Sequence, residues 1–160
     1  MEESGPNPPG GTISGPLARI AKLLEGDPKI AATRARDLLR RFPGQAHALM
    51  LLVSARRLAG DLSGARNVLQ ALARSEPDLA AVQYELGMVL SETGDIEGAI
   101  AAFSRTLELE PARADAWRLL GDCLSEAGRT ADAARAYAKH IELRLAERAQ
   151  AQRSSSGTEG

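Results

Sequence analysis

AWRLLGDCLSEAGRTADAARAY, residues 116–137, holds the only tryptophan of the chain (Trp117) and its only cysteine (Cys123). Two readings compete for it. In one, Cys123 is a nucleophile helped by Asp122 and Glu126. In the other, the segment is one unit of a repeated scaffold and owes these residues to packing.

The neighbouring sequence decides. YELGMVLSETGDIEGAIAAFSRTLELEP (84–111) aligns without a gap on RLLGDCLSEAGRTADAARAYAKHIELRL (118–145). Leu86-Gly87 falls on Leu120-Gly121, Leu90 on Leu124, Gly94 on Gly128, Ala99 on Ala133 and Phe103 on Tyr137, always 34 residues apart. One step earlier, Leu52, Gly60-Asp61, Ala65, Leu69 and Pro77 stand in the same register; one more step back, Gly26-Asp27, Ala31 and Pro43 do. A fixed period of this length is the mark of a repeat array.

Each unit reads as a helical hairpin. A helical stretch ends at a glycine, which suits a left-handed residue after the last turn. A second amphipathic stretch follows, with Ala99, Phe103 and Leu107 at four-residue spacing. Pro43, Pro77 and Pro111 stop the second helix. The small side chains of Ala65, Ala99 and Ala133 suit a close crossing of two antiparallel helices. One hairpin cannot bury its own apolar faces, so neighbours stack.

The pattern resembles the tetratricopeptide repeat, W-x2-L-G-x2-Y then A-x3-F then P in about 34 residues. The last unit carries Trp117, Leu120, Gly121, Ala133 and Tyr137, with Leu124 at the first aromatic position. The one before carries Leu86, Gly87, Ala99, Phe103 and Pro111, with Gln83 for the tryptophan. The one before that keeps Leu52, Ala65 and Pro77, but has Val53 for the glycine; the first is degenerate. The resemblance implies an all-α fold, a right-handed α-solenoid of stacked antiparallel helical hairpins. The expected organisation is a disordered leader over 1–15 and a degenerate hairpin over 16–45. Repeats follow over 46–79, 80–113 and 114–150, the last with an extended capping helix, and then a disordered tail over 151–160.

Composition narrows the function. Twenty Lys and Arg against 21 Asp and Glu give no electrostatic reason to expect nucleic acid or an anionic membrane as partner. One cysteine permits no intrachain disulfide, which fits a reducing compartment, and a cytoplasmic protein is expected, a bacterial one by the resemblance of its last repeat to segments of bacterial multidomain proteins. Phosphate-binding loops, zinc-protease helices, paired cysteines and nucleophile elbows are all missing from the sequence. With His47 and His140 as the only histidines, a histidine metal site is not expected. Asp27, Asp61 and Asp95 read as turn and N-cap residues, because a repeat array keeps equivalent positions apart. No enzymatic activity, cofactor or metal is expected, and Cys123 reads as a small buried thiol.

The expected partner is a protein or peptide segment. In the resembled family the first helix of each hairpin lines a concave groove. Carried over by register, the groove candidates are His47, Met50, Leu51, Ser54 and Arg57, then Ala81, Tyr84, Glu85, Met88 and Ser91, and finally Arg118, Leu119, Asp122 and Ser125. They include no Lys and no Asn, so the subclass that grips chaperone-tail carboxylates is disfavoured. Arg66, on a second helix, is expected to face outward. An alternative comes from GDCLSEAGRTADAARAYAKHIE (121–142), which is similar to repeats that precede sulfotransferase domains in some bacterial multidomain proteins. It implies an accessory region of a larger enzyme, with no activity of its own. Finally, HIELRLAERAQAQR (140–153) has Leu145 where earlier units have proline, so a long last helix is expected to shield the end of the array.

Overall fold

Glycine decides where the helices end. Gly60, Gly94 and Gly128 have φ of 80°, 80° and 75°, the left-handed region that a side chain disfavours. Around each, the same pair of hydrogen bonds closes the helix. Gly94 N–H donates to the Ser91 carbonyl at 3.0 Å, and Asp95 N–H to the Leu90 carbonyl at 2.9 Å; the bonds at Gly60 and Gly128 match. This double closure satisfies carbonyls that the helix end would leave bare.

The structure, a computed structural model, describes residues 13–42 and 45–156. Among them are eight helices and no strand: α1 (Ser14–Gly26), α2 (Pro28–Arg41), α3 (Ala46–Leu58), α4 (Leu62–Ser75), α5 (Ala80–Glu92), α6 (Ile96–Leu109), α7 (Ala114–Glu126) and α8 (Thr130–Ser156). They form two compact units that divide at Asp61 and Leu62, inside the repeat read as 46–79.

In the first unit α1, α2 and α3 pack on one another around Ile20, Ala31, Ala35 and Leu38. The expected glycine turn is not made here. Gly26 is the last residue of α1, and Asp27 alone connects α1 to α2. Its carboxylate accepts the Lys29 and Ile30 N–H groups, both at 3.1 Å, and Pro28 opens α2 with its φ already fixed. A side-chain cap plus proline replaces the left-handed glycine. Pro43 lies outside the described residues.

In the second unit α4 to α8 pack in sequence. Ala99 and Ala133 are buried where α6 crosses α5 and α8 crosses α7, and Ala65 of α4 is buried as well. The helix glycines have a further cause. A Cβ on Gly87 would stand 2.8 Å from the Phe103 ring, and one on Gly121 would stand 2.7 Å from the Tyr137 ring. The bare backbone of the first helix lets the aromatic ring of the second lie flat against it. α4 and α6 end two residues before Pro77 and Pro111. Asp95 caps α6 by accepting Gly98 N–H at 3.1 Å, as expected of it.

The two chain ends depart from expectation. α1 starts at Ser14, inside the stretch assigned to a disordered leader, and residues 1–12 lie outside the described ones. α8 runs to Ser156, well into the stretch assigned to the tail. Nor does α8 shield the last hairpin. Ile141 and Leu145 are 56% and 59% exposed, and every residue from Arg144 to Ser154 is exposed. Leu107, the equivalent of Ile141 in α6, is buried because α7 follows and packs there; among the described residues no helix follows α8.

Candidate partner-binding surface

The groove candidates sit on α3 in the first unit and on α5 and α7 in the second. In the first unit His47 is exposed, and Met50, Leu51, Ser54 and Arg57 are half-buried. In the second, Ala81, Tyr84, Glu85, Met88 and Ser91 are half-buried on α5. On α7 Leu119 is half-buried, while Arg118, Asp122 and Ser125 are exposed.

Tyr84 is the most firmly held. Its ring meets that of Phe103 edge to face, with centroids 5.9 Å apart and planes at 68°. The Arg113 guanidinium carbon lies 3.9 Å from the Tyr84 centroid, and Arg113 in turn donates to Glu110 at 3.0 Å. Cation, ring and carboxylate thus fix the anchor in one orientation. Sequence reasoning missed Arg113. It lies in the α6–α7 connection, 29 residues from Tyr84, where no helical period links the two. The same connection is pinned by Trp117, whose indole N–H donates to the Pro111 carbonyl at 2.9 Å.

Asp122 is not a free acid on a solvated face. It accepts the Tyr137 hydroxyl at 2.8 Å and an Arg118 N–H at 2.9 Å. The hydrogen bond to Asp122 is the main reason the Tyr137 phenol is pushed above its ordinary value, with burial adding to it. Asp122 therefore joins two groove candidates, itself and Arg118, to a core aromatic ring, and does not form an acid–base pair with Glu126.

Cys123 is 2% exposed. Burial pushes its thiol above the ordinary value, a hydrogen bond with Ser91 draws it back in part, and Asp122 and Glu126 push it further up. An activated nucleophile needs the opposite shift. His140, the residue nearest in sequence that could serve as a base, instead donates from Nδ1 to the Ala114 carbonyl at 2.8 Å and ties α8 to the start of α7. Among the described residues no three His, Cys, Asp or Glu side chains gather where they could hold a metal ion. No helix among them is long and apolar enough to cross a membrane.

Arg66 corrects one expectation. It does not simply face outward, because its guanidinium pairs at 3.1 Å with Asp95, the residue that caps α6.

Comparison with known proteins places this architecture. The tetratricopeptide repeat model matches residues 20–80 and 84–152. The chain belongs to the tetratricopeptide repeat family. Its fold is accordingly all-α, a right-handed solenoid of stacked antiparallel helical hairpins. No curated protein matches the chain. Solved structures do. A crystal structure of MamA is 21% identical, with a TM-score of 0.77 over 85% of this chain and 80% of that one. MamA from Desulfovibrio magneticus RS-1, from residue 41 to its end, is 22% identical, with a TM-score of 0.75 over 83% and 76%. At these identities the likeness is one of fold. At the level of class, membership makes the chain a protein-interaction scaffold, since repeats of this family serve as binding surfaces.

Proposed function

We propose that the protein holds an extended or helical segment of a partner protein along α5 and α7, the first helices of the hairpins in its second unit. Tyr84 and Met88 of α5 are the anchors, and Arg118 and Asp122 of α7 set the register. His47, Met50, Leu51, Ser54 and Arg57 occupy the same register on α3, and Glu85 flanks the anchors. The supporting observation is the clamped Tyr84 ring. Binding orders side chains at about 0.5–1.5 kcal/mol each, and a ring already fixed between Phe103 and Arg113 is spared that cost. Aromatic and methionine side chains that are half open to solvent are the residues from which such hot spots are built. The Arg118–Asp122 pair presents both signs of charge, which favours a partner of mixed charge. We further propose that the protein works in the cytoplasm, that it binds neither nucleic acid nor membranes, and that it acts without catalysis.

The test uses peptides selected on the intact protein from a random 16-residue display library, with affinities read by fluorescence anisotropy. Tyr84→Ala with Met88→Ala should weaken the selected peptides at least 30-fold, about 2 kcal/mol. Arg74→Glu, on the exposed face of α4, should not. A double variant that keeps its helical signal and binds like wild type would sink the reading.

A further inference from the structure

The overall charge balance hides a division. Residues 13–61 carry nine Lys and Arg against four Asp and Glu, whereas residues 62–160 carry eleven against fifteen. Within the first unit the arginines differ. Arg40 pairs with Asp37 and Arg56 with Asp61. Arg19, Arg34 and Arg41 meet no carboxylate among the described residues, and all three are exposed.

These three arginines rim one cleft. It lies between α1 and α2 and encloses about 470 Å³. Its floor is apolar, made by the buried Ile20 and Leu38 with Leu23 and Pro16 beside them. Each helix gives one stripe at helical spacing, Pro16, Ile20 and Leu23 from α1 and Arg34, Leu38 and Arg41 from α2. A purely structural account covers Arg41 alone. It stands in the last turn of α2, where a cation suits the helix dipole, and it lies 5.8 Å from the centroid of the Phe42 ring. Arg19 and Arg34 lie in mid-helix, where the dipole gives them no such role.

We propose that the α1/α2 cleft is a second docking site, built from residues other than those of the α5/α7 surface, and that its occupant is an acidic amphipathic protein segment. One or two aliphatic side chains seat on Ile20, Leu23 and Leu38, and flanking carboxylates pair with Arg19, Arg34 and Arg41. Charge complementarity selects the acid, since guanidinium groups meet carboxylates in two parallel hydrogen bonds. The apolar floor selects a protein over a nucleic acid. A phosphate backbone would use the three cations and leave the floor uncovered, whereas an amphipathic segment covers both.

The probe is a fluorescein-labelled 14-residue helical peptide, with leucine at every third or fourth position and glutamate elsewhere. It is titrated against the full chain by anisotropy. The expected result is saturable binding that weakens at least tenfold in Arg34→Glu/Arg41→Glu and falls with added salt. Arg34→Gln/Arg41→Gln should give an intermediate loss. Arg74→Glu should give none, and the Tyr84→Ala/Met88→Ala variant should bind like wild type, which separates this site from the α5/α7 surface. Circular dichroism should show unchanged helix in the arginine variants, whose side chains are exposed. Three results would overturn the proposal. One is a Leu/Glu peptide that binds the double arginine variants as well as wild type. Another is a 14-residue polyglutamate, a dT14 oligonucleotide or phosphatidylserine vesicles binding as tightly as that peptide. The third is loss of binding through Tyr84 and Met88 alone.

Discussion

Gly87→Ala is the sharpest test of how the hairpins are held together. In a solvent-exposed helix this change stabilises, because glycine loses more backbone entropy on folding, by about 0.5–1 kcal/mol. Here the new Cβ would stand 2.8–2.9 Å from three atoms of the Phe103 ring, closer than any stable contact. The ring cannot swing away, since Phe103 is fully buried and packs against the Tyr84 ring. Overpacking of this kind costs about 1–3 kcal/mol. The difference leaves Gly87→Ala destabilising by about 1–2 kcal/mol. The chain suggests a rescue, because one repeat earlier the same two register positions hold Val53 and Leu69, a larger residue opposite a smaller one. Phe103→Leu in the Gly87→Ala background should therefore cost less than the sum of the two single changes, by about 0.5 kcal/mol or more. Urea unfolding of the four proteins, followed by circular dichroism, measures the cycle. If Gly87→Ala alone raises stability, or if the two effects simply add, the ring does not constrain the glycine and the packing argument is wrong.

Two further expectations concern the last hairpin. Because burial raises the Cys123 thiol, the thiolate should form only above the pH at which an ordinary cysteine ionises. The folded protein should then react slowly with iodoacetamide at neutral pH and faster as pH rises, and the urea-unfolded chain should react faster still; rapid stoichiometric labelling of the folded protein at pH 7 would contradict this. Truncation after Lys139 should destabilise the protein, since it removes the His140–Ala114 hydrogen bond and the half-buried Leu143. Truncation after Ala146 should change stability by less than about 0.5 kcal/mol, because Glu147 to Ser154, the residues it removes whose burial is described, are all exposed; equal effects of the two truncations in urea unfolding would refute that account.

The sequence by itself determined the repeat, the helical class and most of the turns. These follow from local causes that recur every 34 residues: glycine where φ must be positive, proline beyond a helix end, and alanine at a crossing. It determined the fate of Cys123 too, because a motif helix with no base at helical spacing already argued for packing. It missed the first turn, where Gly26 mimics the motif but Asp27 and Pro28 offer a tighter closure from the same few residues. Only the tertiary structure decided what stands beside what. Arg113 over Tyr84, Tyr137 on Asp122 and Arg66 on Asp95 join residues 15 to 29 positions apart on different elements. No period within one helix encodes such pairs, since they depend on how two elements are set against each other. The same holds for exposure. Ile141 and Leu107 are equivalent in register and similar in chemistry, yet one is open and the other buried, because a residue's burial is set by the helix that follows it in space. The grouping of Arg19, Arg34 and Arg41 around one apolar cleft is likewise a property of two packed helices, and a count of charges along the chain averages it away.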